Sequence, residues 1–393
     1  MTRIRGGLAA LVLVVAASGC ASTTGSTATG STGSRPVADS AALSATTSAT
    51  TPGGTWAVLP MGGTGPNLFW QLFLLAGTGG RWSLQTPPAI ATNGALILAP
   101  QYGPGRQANA VTVAIRPSLD LTFAPVTSTS DGGQSWSTLA PATSLANVAD
   151  ALAAAPNGHL LMLSDGQQAS EYSSAASGWT GLTSRAALAA TAPGRACALT
   201  ALTAISFTSQ GSPLLAGDCG QSGVAGIFGY TGGKWRPAGP SLPASLADQR
   251  IQVLRLTRTG DTDTALLEAG SGTTAVLVAA QTSGTSGNWA VSPVLRLDGA
   301  QAESASFGPD GSVGVVLTGG RADVLAGPRA SWRALPALPP AHSDTLALPA
   351  AGETEALAAT GSALTVWRLD PATKRWRTAQ TMNVPIEYGS SSS

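Results

Sequence analysis

Charge is scarce in this 393-residue sequence: Asp, Glu, Lys and Arg together make up 10% of it, and the formal net charge is +1. Only two lysines occur, Lys234 and Lys374, so no basic stripe exists to follow a phosphate backbone, and nucleic acid is not expected as a partner. Histidine is as thin, with His159 and His342 far apart and no Cys-x-x-Cys or Cys–His cluster beside them. That leaves no ordinary ligand set for a metal, and no cofactor is expected. Gly-x-x-x-x-Gly-Lys-Ser/Thr, Gly-x-Ser-x-Gly and His-Glu-x-x-His are all missing. Asp261-Thr-Asp263-Thr begins like a calcium loop, but Ala265-Leu266 stands where the next oxygen ligand and a glycine are needed. Beyond the N-terminus there is no run of 18 apolar residues. Few charges, 48 glycines and short apolar runs bounded by turn residues describe an all-β protein, in which long amphipathic helices have no place.

Aromatic residues are also few, at 5%, yet tryptophan accounts for ten of them, and seven recur at intervals. Trp82, Trp136, Trp179, Trp235, Trp289, Trp332 and Trp376 are separated by 54, 43, 56, 54, 43 and 44 residues. These spacings are those of four-stranded propeller blades and exceed those of helical repeats. The repeat is clearest from Ala302 to Pro339. Ser304-Ala-Ser-Phe-Gly, Ser312-Val-Gly-Val-Val-Leu-Thr, Ala322-Asp-Val-Leu-Ala and Ser331-Trp-Arg-Ala-Leu read as four strands, with turns at Pro309-Asp-Gly and Gly319-Gly. The fold expected is a β-propeller of seven four-stranded blades, six being the alternative count. The strand Thr381-Met-Asn-Val-Pro-Ile-Glu is expected to join the N-terminal strands in one blade and so close the ring. Each ladder tryptophan is expected to pack between sheets.

Only three cysteines occur. Arg3 and Arg5 precede an uncharged run from Gly6 to Ser18, and Ala17-Ser18-Gly19-Cys20 follows. A basic start, about a dozen apolar or small residues and a small-residue cut describe a secretory signal. With a cysteine after the cut, the segment resembles the lipobox of bacterial lipoproteins, although Ala17 stands where that family most often has Leu. The resemblance implies that Cys20 becomes the first mature residue, carries lipid and anchors an exported protein to the outer face of the cell membrane. The expected layout is a signal at 1–19, lipidated Cys20 with a flexible Ser/Thr/Gly tether at 20–54, a propeller at 55–389 and a disordered tail at 390–393. Such a tether spans on the order of 30 Å. Cys197 and Cys219 remain, 22 apart, and form either a disulfide, as suits an exported compartment, or two buried thiols.

One turn has a sharper signature. Thr129-Ser-Asp131-Gly-Gly133-Gln-Ser135-Trp136 fits Ser/Thr-x-Asp-x-Gly-x-Thr/Ser-Trp at every specified position. It resembles the Asp-box of sialidases and other propellers, which joins a third strand to a fourth and is structural in that family, away from the active site. The other six turns keep the tryptophan and lose the aspartate; Val366-Trp-Arg-Leu-Asp370 to Trp376 resembles the end of a kelch repeat instead.

A sialidase-like site would gather three arginines on a substrate carboxylate, with a Tyr–Glu nucleophile pair and an acid. Arg195, Arg255, Arg296, Tyr102 and Tyr388 are the available groups, and none sits in a motif. Glu387 and Tyr388 are sequence neighbours and on one strand would face opposite sides. The sequence therefore points to a cell-envelope lipoprotein whose propeller is a non-catalytic binding or scaffolding module. Its partners would be the membrane, through the lipid, and an unknown envelope protein or glycan. The alternative is a sialidase-like exo-glycosidase acting on cell-surface or extracellular glycans.

Overall fold

The computed structural model describes residue 43 and residues 47–386, apart from 65–66, 78, 89–94, 103–108, 117–125, 139–148, 174–177, 284–287, 340–343 and 350–351. The signal segment, Cys20, Tyr388 and the 390–393 tail lie outside the described residues.

Short apolar runs cut by glycine turns give strands of two to nine residues rather than long helices. In the Ala302–Pro339 repeat the strands are Ala302–Phe307, Val313–Leu317, Arg321–Leu325 and Arg333–Ala334, within two residues of the expected starts for the first three and with a shorter fourth. They pair antiparallel in sequence order, Val313 opposite Phe307 and Leu325 opposite Val313. The same meander repeats over 47–84, 95–138, 149–184, 199–237, 251–291, 302–334 and 345–383. The fold is a seven-bladed β-propeller. In blade 5 an extra strand, Leu295–Arg296, also pairs with the third strand.

Each ladder tryptophan stands in or just before the outermost strand of its blade, as Trp82 does in Trp82–Leu84 and Trp332 before Arg333–Ala334. The apolar core is divided into seven clusters, one between each pair of neighbouring blades, and each contains one ladder tryptophan. Trp289 of blade 5, for example, packs against a cluster that joins Leu214 and Ile227 of blade 4 to Leu256 and Leu267 of its own blade. Three of the indole N–H groups reach back to a carbonyl across the same interfaces. Trp289 donates to the Ala238 carbonyl at 2.8 Å, Trp332 to Pro293 at 3.0 Å and Trp376 to Pro336 at 3.3 Å. A large ring with a polar edge suits a position where one end meets core and the other meets backbone.

Closure differs from the sequence expectation. Residues 381–383 extend the last strand, Arg375–Asn383, and pair with its neighbour Ala363–Asp370, so no blade mixes strands from the two ends. The first and last blades are joined by side chains instead. The Gln380 amide accepts from the Trp82 N–H (2.9 Å) and donates to the Trp82 carbonyl (2.8 Å), as a strand partner would. The Trp82 indole donates to Glu355 at 2.8 Å, and Glu355 also takes both the Nε and Nη2 of Arg368. Met382, Val384 and Ile386 then pack with Leu59, Phe73 and Trp82.

The tether boundary also needs correction. Thr47–Thr51, expected to be flexible, is the first strand of blade 1. It pairs antiparallel with Gly54–Gly62 and parallel with Ala302–Phe307, the innermost strand of blade 6. Hydrogen bonds rather than apolar area fix a strand of this composition.

Between blades 3 and 4 the chain forms two short helices, α1 (Arg185–Ala189) and α2 (Ala192–Cys197), which the sequence reading did not anticipate. Ser184 and Thr191 cap them with their hydroxyls, Pro193 lies in the first turn of α2, and Ala198 ends it in a left-handed conformation. Cys197 and Cys219 form a disulfide that ties α2 to the end of the strand Pro213–Cys219. Replacing both cysteines by serine is expected to cost about 3 kcal/mol through loss of loop constraint in the unfolded chain. Denaturant melts of the oxidised wild type and the double variant measure this; equal midpoints would contradict it.

Candidate functional site

Propellers commonly bind along their axis, and here the axis is occupied by the chain itself. Thr47–Thr51 touches the innermost strands of blades 2, 5, 6 and 7. Its hydroxyls are spent on backbone carbonyls: Thr47 donates to Ala305 at 2.6 Å, Ser48 to Leu346 at 2.7 Å and Thr50 to Leu348 at 2.8 Å. From blade 6, Ser306 donates to the same Leu346 carbonyl. The buried Tyr102 donates to the Thr50 carbonyl at 2.8 Å, and its burial pushes the phenol well above its ordinary range. Four of the five side chains in this strand are buried.

The groups that a sialidase-like site would need are dispersed. Arg195 is exposed on α2, and Arg296 is exposed on the extra strand of blade 5. Arg255 donates to the Leu43 carbonyl at 2.6 Å, where desolvation pulls its guanidinium down to about 10. Tyr102 is committed to Thr50, and Tyr388 lies outside the described residues. The segment resembling a calcium loop forms a hairpin turn in which Arg258 bonds Asp261 and Asp263, each at 3.2 Å, so a guanidinium stands where a cation would. Burial raises Asp263 to about 6 despite that partner. Among the described residues no group of three His, Cys, Asp or Glu side chains is placed to hold a metal ion.

The Thr129–Trp136 turn joins the third and fourth strands of blade 2. Asp131 accepts from the Ser135 hydroxyl (2.5 Å), the Ser135 N–H (2.9 Å) and the Thr129 hydroxyl (2.7 Å), while Thr129 also accepts from the Gly133 N–H (2.9 Å). Gly133 has φ +89°, and a Cβ there would lie 2.4 Å from Gln85. Every acceptor site of the carboxylate that is in use faces its own loop. In blade 7 the corresponding turn achieves a similar cap with Asp370, which accepts from the N–H groups of Ala372 and Thr373.

Two concave surfaces among the described residues lie at blade 7. A groove of about 680 Å³ runs beside blade 7, lined by the segment 352–354 that leads into its second strand, by its third and fourth strands with the turn between them, and by Arg333 from the outermost strand of blade 6. Arg368, Lys374 and Arg377 reach it, as do Glu353 and Asp370. Arg368 also lines a second hollow of about 300 Å³ at the seam with blade 1, next to Trp82 and Gln380. Three acidic groups brace two of the cations: Arg368 lies 3.3 Å from Glu353 and 2.7 Å from Glu355, and Arg377 lies 2.9 Å from Asp370. Although desolvation opposes it, the bond to Glu355 keeps Arg368 above its ordinary value. Backbone N–H groups of Thr373 and Ala372 hold Asp370 below its own. The sequence reading did not single out this groove. Its signal was local: seven charged residues fall between Glu353 and Arg377 in a chain that is otherwise poor in them.

No protein-family model and no curated protein matches the chain. Among solved structures it is similar to YCF48 bound to D1 peptide, at TM-score 0.44 and 13% identity, over 82% of this chain and 87% of that one. It is also similar to a fucose-recognising six-bladed propeller lectin from Aleuria aurantia, at TM-score 0.43 and 13% identity, over 87% of this chain and 96% of that one. TolB from Acinetobacter baumannii aligns at TM-score 0.43 and 15% identity, over 69% of this chain and 60% of that one.

The Thr129–Trp136 turn yields a pH test. Bonds from the Ser135 hydroxyl first, then the Ser135 N–H and the Thr129 hydroxyl, lower Asp131 from 3.8 to about 2. A carboxylate lowered on folding adds stability that is present above its unfolded value and is lost as pH falls through its folded one. The melting-temperature gap between wild type and Asp131→Ala is therefore expected to be widest above about pH 4 and to close near pH 2. A gap independent of pH would contradict this role.

Proposed function

We propose that the chain is a non-catalytic binding module of the cell envelope, anchored through lipid on Cys20 and presenting its propeller to a partner. The observation that carries this reading is the filled axis. With Thr47–Thr51 bonded through the centre, the position where a propeller would shelter a reaction is taken by backbone and small hydroxyls. Among the described residues a groove lies open at blade 7, rich in charges and built on the blade's sheet. Rigid strands hold such donors in place without a folding cost at the moment of binding.

The anchor part of the proposal rests on the lipobox resemblance around Cys20 and agrees with an oxidised Cys197–Cys219 pair, since disulfides persist in exported compartments. Wild-type protein is expected in the membrane fraction and released only by detergent, and Cys20→Ala is expected in the soluble fraction. A Cys20→Ala protein that stays equally membrane-bound after signal cleavage would contradict the anchor. Purified full-length chain is expected to release no fluorophore from a sialic-acid substrate. Turnover that disappears in Arg255→Ala would overturn the non-catalytic reading.

A further inference from the structure

The groove beside blade 7 has a definite chemistry. Four cations line it, Arg333, Arg368, Lys374 and Arg377, against two carboxylates, Glu353 and Asp370. With Glu355 counted behind Arg368, the local excess is one positive charge, and it falls on Arg333 and Lys374, which have no acidic partner among the described residues. Arg368 and Arg377 are fixed by acidic neighbours and so act as oriented donors. Arg333 and Lys374 are exposed and form no ion pair or side-chain hydrogen bond among the described residues. An anion is the natural complement of two such groups, and a planar guanidinium suits a carboxylate in particular.

The two carboxylates narrow the choice. Glu353 and Asp370 are acceptors and would repel a ligand that offers only acceptors, such as the carboxylate side chains of an acidic peptide. A ligand that carries an anion and several hydroxyl donors on one small ring satisfies both sets. The volume of about 680 Å³ admits a few such rings, and Pro371 adds an apolar surface for a sugar C–H face.

We propose that this groove binds an acidic sugar, with Arg333 and Lys374 on its carboxylate and Glu353 and Asp370 on its hydroxyls. The proposal rests on the binding-module reading and gives that module its ligand class. Because the cations are exposed, the binding is screened by salt.

The test is titration calorimetry of the full-length chain in detergent with trigalacturonate as the probe. Wild type is expected to bind saturably, and more weakly as salt is raised. Arg333→Gln combined with Lys374→Gln is expected to weaken binding at least tenfold, with an unchanged melting temperature. The neutral maltotriose is expected not to bind. Equal affinity in the double variant would overturn the site, and no binding of trigalacturonate would overturn the ligand class. Tetraglutamate or inorganic phosphate binding as tightly as trigalacturonate would also overturn the class. Cleavage of the probe, absent in the double variant, would support the acidic-sugar site while contradicting the non-catalytic reading.

Discussion

Packing between neighbouring blades is the constraint on which the rest of this molecule depends. A four-stranded antiparallel sheet cannot bury both faces alone, so each blade is stable only against the next, and the last must meet the first. Tryptophan supplies the contact. One ladder tryptophan belongs to each of the seven clusters, joined by Trp56 and Trp70 between blades 1 and 2, and several indoles also tie their N–H to a carbonyl of the preceding blade. The seam between blades 7 and 1 uses the same device with a stronger acceptor. There the indole of Trp82 meets the carboxylate of Glu355, which is itself held by Arg368. A buried carboxylate is costly without partners, and this one has both an indole and a guanidinium.

The same seam organises what the surface offers. Arg368 holds Glu355, the acceptor of the closing Trp82 bond, and also lines the blade 7 groove, so a structural ion pair fixes part of that groove's geometry. Near the axis the chain packs on itself: Ser48 and Thr50 donate to the Leu346 and Leu348 carbonyls of blade 7, and the phenol of Tyr102 donates to the Thr50 carbonyl.

Much of this was legible in the sequence and some was not, for physical reasons. The tryptophan spacing revealed seven blades because each interface needs one large ring, whatever else varies. The four strands of the Ala302–Pro339 repeat were readable because glycine turns bound its apolar runs. Thr47–Thr51 was not, since Thr-Ser-Ala-Thr-Thr has the composition of the tether before it, and only distant carbonyls at Ala305, Leu346 and Leu348 give it a place. Closure was misread because Gln380 imitates a strand with a side chain, which no strand pattern records. The helices α1 and α2 were short enough to escape a search for amphipathic periodicity, although Thr191-Ala-Pro193 carries a start signal. The groove escaped because Arg333 and Lys374 belong to different blades.

The central claim is that a tryptophan clamp at each interface, closed at blades 7 and 1, holds the ring. Trp82→Ala tests it most directly, because Trp82 is 3% exposed and belongs to the closing interface. Its loss is expected to cost about 3–5 kcal/mol, as for other buried aromatic truncations. Hydrogen exchange should then show Gly54–Gly62, Leu68–Ala76 and Arg375–Asn383 losing protection first, with the strands of blades 3 to 5 protected longest. A loss of protection spread evenly around the seven blades, or a stability change under about 1 kcal/mol, would contradict the account.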